Sequence, residues 1–214
     1  LPGKPLLKIN GLSIISHVFK KAEEADIGEV YVATENQEII DDVKKNGGQG
    51  ILTSNQHKTG TDRIHEAISK LGKSDIDLVM NLQGDEPLMD VGDIKNLNEK
   101  MIQSKSELGT LATNIKDKFS FEEENVVKVI TKSDLKATNF PEALDFIRNT
   151  KREIKNVYHH LGIYCYKSKT LEKFVSLQQS TNEIKNNLEQ LRAIDNKIKI
   201  NVALAKSSPL GVDT

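Results

Sequence analysis

Asp85 is the residue best placed to do chemistry. It lies in Gln83-Gly84-Asp85-Glu86-Pro87, directly after the apolar run 77–82, which reads as a strand. The carboxyl ends of central strands are where doubly wound sheets hold ligands. A carboxylate there can take Mg2+, a hard ion that prefers oxygen and fills its shell with water and substrate phosphates. A simple polar turn is the alternative. Asp213, in Gly211-Val212-Asp213-Thr214, offers a second carboxylate for the same ion, or is an ordinary turn residue. Thr59-Gly60-Thr61-Asp62-Arg63 is a small-residue turn running into a helix, where free N–H groups can receive a base edge or an anion. N-capping by Thr61 is the plainer reading, and capping and ligand contact are compatible. Lys4, between Gly3 and Pro5 in a rigid turn, suits a phosphate or stands in solvent.

His159 and His160 precede an apolar run, and strand alternation would turn them to opposite faces. With no further ligands beside them, hydrogen bonding suits them better than zinc. Glu189-Gln190-Leu191-Arg192 reads as helical, with Glu189 and Arg192 spaced as a surface ion pair worth about 0.2–0.5 kcal/mol. Arg occurs only at 63, 148, 152 and 192, and Arg alone offers a planar fork to phosphate or carboxylate. The chain has no nucleophile elbow, Walker lysine loop or GxGxxG, which counts against acyl transfer, P-loop ATP use and a dinucleotide cofactor.

These residues need a frame of alternating elements. Ser13 can cap a helix through Ile14, Ile15, Val18, Phe19, Ala22 and Ala25, and residues 29–34 follow as a strand. Asn36 caps a second helix carrying Ile39, Ile40 and Val43, before the short apolar pair Ile51 and Leu52. A third helix carries Ile64, Ala67, Ile68 and Leu71. This order predicts right-handed βαβ units on a mostly parallel sheet. Beyond about residue 107, apolar runs at 108–115, 126–130 and 157–166 are separated by lysine-rich stretches and suggest antiparallel strands or a projecting hairpin. Helical spacing returns at 171–177 and 188–194, and 198–205 alternates as a strand. One α/β domain over 1–214 with a projecting segment near 107–166 is the expected organisation.

Composition sets the outer bounds. The 214 residues suffice for a proper core, with 37% hydrophobic and 29% charged residues and a mean hydropathy of −0.46. Basic and acidic residues number 30 and 31, so no global field favours nucleic acid or an anionic membrane. The single cysteine, Cys165, excludes an internal disulfide and a Cys-rich metal site. No apolar run approaches a spanning length, and a cytoplasmic enzyme is the expectation.

Six segments in chain order resemble the 3-deoxy-manno-octulosonate cytidylyltransferase family, within the nucleotidyltransferase α/β superfamily. They are residues 1–6, 57–63, 81–87, 160–164, 188–192 and 211–214. The resemblance implies a Rossmann-like three-layer fold and an enzyme joining CTP to 3-deoxy-manno-octulosonate (Kdo), with release of pyrophosphate, for lipopolysaccharide assembly. It implies Mg2+ on Asp85 and Asp213, with Lys4 neutralising the triphosphate. Thr59, Gly60 and Thr61 would lie near the cytosine, and Arg63 would support the nucleotide side. Gln83, His160 and Gln190 would hydrogen-bond the sugar, with Glu189 and Arg192 adjacent. It also implies a homodimer built through residues 107–166.

Two departures from the family pattern stand out. Family members open with an apolar strand and an Arg-bearing loop, which are expected to precede Leu1. Asn139-Phe140-Pro141-Glu142 stands where the family has a Tyr-Phe-Ser-Arg type segment, exchanging a cation for an anion and disfavouring an anionic substrate. A cytidylyltransferase for another acidic sugar, of the sialic acid type, and a non-catalytic nucleotide-binding homologue are the alternatives.

Overall fold

The computed structural model describes residues 3–115, 123–149 and 154–207. Among these, the chain gathers into two compact units, one of residues 3–76 and 81–95, the other of 77–80 and the described residues from 96 to 207.

The first unit opens with a 3-10 turn, Lys4–Leu6, followed by a small antiparallel hairpin of β1 (Lys8–Ile9) and β2 (Leu12–Ser13). Asn10 and Gly11 at its tip have φ of 50° and 83°, the left-handed pair that a two-residue hairpin turn requires. Ser13 then caps α1 (Ile14–Glu24), its hydroxyl accepting from the Ser16 N–H as expected. Both serine hydroxyls donate to Asp42, which ties the start of α1 to α2 (Gln37–Lys45). Asn36 caps α2 through the Glu38 N–H. Between the two helices, β3 (Val32–Thr34) pairs in parallel with β4 (Gly50–Leu52), completing the expected βαβ unit. Its core is Ile15, Phe19, Val32, Ile39 and Val43. Each such side chain contributes roughly 1.5–3 kcal/mol on burial. Gly48 is required here, since a Cβ would stand 2.9 Å from both Phe19 and Val43. The third helix, α3, spans Gly60–Leu71.

The second unit is built on a six-stranded sheet: β10 (Ile200–Leu204), β6 (Leu108–Thr113), β9 (Val157–Lys167), β7 (Lys128–Thr131) and β8 (Ala143–Ile147), in that order, with β5 (Leu78–Asn81) also paired to β9. The α/β class is the one expected, but the strand senses of this sheet are mixed. Only β6 and β10 are parallel among the pairs whose register is defined, whereas β6 with β9, β9 with β7, and β7 with β8 are antiparallel. A parallel pair needs a crossover of about a dozen residues, usually helical, and among the described residues no helix separates β7, β8 and β9. Residues 107–166 thus supply four strands of this sheet. Asn139 to Glu142 run along its edge, where the Pro141 carbonyl accepts from Val202 and Glu142 lies 3.8 Å from Lys132.

Helix α4 (Val91–Gln103) places Leu97 and Met101 against Gly109 of β6. Three shorter helices follow β9: α5 (Ser168–Ser176), α6 (Thr181–Asn186) and α7 (Leu191–Asp195). Ser180 and Glu183 form a reciprocal capping box at the start of α6, and Asn187, at φ 51°, ends it.

Candidate functional site

In the first unit, Lys4 and Asp85 meet. The Lys4 Nζ donates to Asp85 Oδ2 at 3.1 Å, across 81 positions of sequence. Gly3, at φ 79°, and Pro5 fix the backbone on either side of Lys4. Asp85 sits in a turn tightened by the Glu86 N–H donating to the Gln83 carbonyl, with Gly84 packed on Ile15. The lysine side chain is 16% exposed and the carboxylate 45%, so Asp85 is anchored yet open to a further partner.

The small-residue turn is arranged differently from its expected capping. Thr59, not Thr61, is the N-cap of α3, with extended backbone and a hydroxyl that accepts from the Asp62 N–H. Thr61 lies within the first turn and is 1% exposed, so its side chain packs inward. A Cβ on Gly60 would meet no neighbouring group within 4 Å, so there is open space beside this residue. Arg63 turns back along the unit to donate to Thr53 Oγ1 at 2.8 Å and to pair with Glu35 at 2.5 Å. Glu66 braces the strand leading in, accepting from the Ser54 N–H, His57 and Lys70. Lys70 first, then His57 and the Ser54 N–H, hold its carboxyl down at about 2.

In the second unit, His160 is 8% exposed while His159 is half-buried, the alternation expected of a strand. Phe146 meets the His160 ring edge-on at 5.0 Å, Tyr164 lies at 5.4 Å, and Nε2 is 3.0 Å from Thr110 Oγ1. Burial, helped by His159, pushes the His160 pKa down to about 3, so the ring is neutral. Gln190 is buried at the N-cap of α7 without capping it through its side chain.

Arg192 does not form the surface pair with Glu189 that helical spacing suggested. Asn187 breaks the helix, and the guanidinium instead grips Glu183, with Nε to Oε2 at 2.9 Å and NH2 to Oε1 at 2.6 Å. Phe174 lies under it, 4.6 Å from the guanidinium carbon. Burial alone would raise the Glu183 carboxyl, but Arg192, Gln179 and the Ser180 N–H outweigh it and hold the pKa below the usual value. Glu183 was legible as a cap, since Ser180 and Glu183 have the spacing of a capping box, but nothing local marks it as the partner of Arg192. Asp213 lies outside the described residues.

The cytidylyltransferase family profile matches residues 1–200. The 3-deoxy-manno-octulosonate cytidylyltransferases of Afipia carboxidovorans and Rhizobium meliloti are 39% and 40% identical to the whole of this chain, which covers 87% and 86% of theirs. The chain belongs to the 3-deoxy-manno-octulosonate cytidylyltransferase family. A solved CMP:2-keto-3-deoxy-manno-octonic acid synthetase complexed with CTP superposes with a TM-score of 0.88 at 34% identity, covering all of this chain and 88% of the other. As a cytidylyltransferase, this family member needs charge neutralisation where a triphosphate reacts. Among the described residues, no group of three His, Cys, Asp or Glu gathers to cage a metal. Asp85 offers an accessible carboxylate beside a fixed cation, a donor set that fits Mg2+ held largely by phosphate oxygens and water.

Proposed function

We propose that this chain transfers CMP from CTP to the anomeric hydroxyl of Kdo and releases pyrophosphate. The observation that carries this reading is the Lys4–Asp85 contact, which joins two of the segments typical of the family at one point. The anomeric oxygen forms a bond to the α-phosphorus, the α–β bridging bond breaks, pyrophosphate leaves, and the hydroxyl proton is lost to solvent. Lys4 neutralises the departing phosphates, and its link to Asp85 keeps the ammonium from folding away. Asp85, with Asp213, would hold Mg2+, which when bound screens phosphate charge and aligns the reacting oxygens.

The start of α3 takes the cytidine at Thr59 and Gly60, with Thr61 buried behind them and Arg63 holding the adjoining strand end through Thr53. Gln83, His160 and Gln190 hydrogen-bond the sugar, beside Glu189. Arg192 acts from behind, its bond to Glu183 fixing the turn that carries Gln190. Glu142, the anion at a position where the family has a cation, lies beside Lys132, which offsets its charge. Reaction in the cytoplasm, a role in lipopolysaccharide assembly and a homodimer formed through residues 107–166 complete the proposal. No helix among the described residues is long and apolar enough to cross a membrane.

The test is pyrophosphate release by the purified protein with CTP and Mg2+. Release that depends on Kdo and is not evoked by a sialic acid is expected, with Asp85→Ala lowering kcat by about 100-fold or more. Undiminished turnover by that variant would overturn the assignment of Asp85.

A further inference from the structure

Thr110 stands opposite an irregularity in β9. Leu111 faces Leu161 and Thr110 faces Tyr164, so Gly162 and Ile163 have no counterpart on β6. Such a bulge takes carbonyls out of the ladder, and a buried carbonyl needs a donor. Thr110, fully buried, supplies one: its Oγ1 lies 2.7 Å from the Ile163 carbonyl oxygen and 3.3 Å from that of Leu161. The same oxygen is 3.0 Å from His160 Nε2.

A hydroxyl has one proton and two lone pairs. Carbonyls only accept, so the Thr110 proton goes to the shorter contact, Ile163. What remains toward His160 is a lone pair, and Nε2 must carry the hydrogen. A neutral ring has only one such hydrogen, which leaves Nδ1 as an acceptor. No other described group hydrogen-bonds the ring, and Phe146 and Tyr164 hold its plane.

We infer that Thr110 is a positioning residue, fixing His160 in the Nε2–H tautomer so that Nδ1 accepts a hydrogen bond from a hydroxyl of the acidic sugar. This rests on the reading of His160 as a sugar-binding residue. It also says which part of the sugar His160 meets. A neutral acceptor nitrogen gains nothing from a carboxylate, which has no proton to give, and selects a hydroxyl instead.

Imidazole 15N–1H correlation spectra of the wild-type protein, with His160→Gln to identify the signal, should show the Nε2–H form. Thr110→Val should mix the tautomers and raise KM for Kdo about three- to tenfold, the worth of one hydrogen bond, with KM for CTP and kcat little changed. Thr110→Ser, which keeps the hydroxyl, should restore both readouts. An Nδ1–H ring in the wild type would overturn the inference, and that spectrum decides even where Thr110→Val does not fold. So would an unchanged sugar KM in Thr110→Val when His160→Ala raises it. An unchanged sugar KM in His160→Ala would instead overturn the reading of His160 on which the inference rests.

Discussion

Removing the carboxylate of Glu183 should markedly destabilise the fold around α6 and α7. The Glu183 and Arg192 side chains are 4% and 2% exposed, so water cannot replace the lost partner. In Glu183→Ala the guanidinium loses both bonds, at 2.6 and 2.9 Å, and keeps its charge against Phe174. Breaking a buried pair from one side costs about 3–5 kcal/mol, because the remaining buried ion loses its paired charge. A domain of this size loses about 2–4 °C of Tm per kcal/mol, which corresponds to a drop of roughly 6–20 °C. Glu183→Ala also removes the half of the capping box that reaches back to the Ser180 N–H, placing the result toward the upper end. The assay is thermal unfolding followed by circular dichroism, with the double variant Glu183→Leu and Arg192→Met beside the single one. With both charges gone and the volume kept, most of the loss should return. A single variant within about 1 °C of wild type, or a double variant no better than the single, would refute the argument that the penalty comes from a buried guanidinium that has lost the Glu183 carboxylate.

Two further outcomes concern the second unit. His160 is neutral in the folded chain down to about pH 3, whereas an unfolded histidine protonates near 6.5. The unfolded state therefore binds the extra proton between those values, and stability should fall as pH is lowered through this window by about 1.4 kcal/mol per unit. Urea titrations at pH 6, 5 and 4 should show this slope reduced by one proton in His160→Gln. Gly109→Ala would set a Cβ 2.7 Å from the Met101 sulfur and 2.9 Å from Phe140, and should cost about 1–3 kcal/mol by urea unfolding.

Local signals proved legible and long-range ones did not. Ser13 and Asn36 cap the helices their positions announced, because a cap is decided within three residues. The hairpin at Asn10 and Gly11 carries an equally local signal, though its two-residue strands are too short for alternation to show. Thr59 and Thr61 both suit a cap, and only the burial of Thr61 separates them. The antiparallel strands expected beyond residue 107 are present as β6, β7 and β9, but their order in the sheet could not be read, since β9 meets three strands far away in sequence. The same distance hid the Lys4–Asp85 contact as geometry, although each residue was marked by its own turn. Thr110 gave no signal at all: its partners lie 50 to 53 positions on, and it has no flanking motif.

The surplus in β9 amounts to two residues, Gly162 and Ile163, and the parity of that number matters. Two residues carry a strand through one full period of its pleat, so side chains on either side of the bulge stay in phase. Deleting one of them would exchange the inward and outward faces of one arm against β6, sending His160 or Tyr164 to the opposite surface. Deleting both would keep the faces but leave Thr110 opposite a regular ladder with no spare carbonyl. Within this bulge, only a change of an even number of residues keeps the faces in phase, and even that gives up the carbonyls that Thr110 meets.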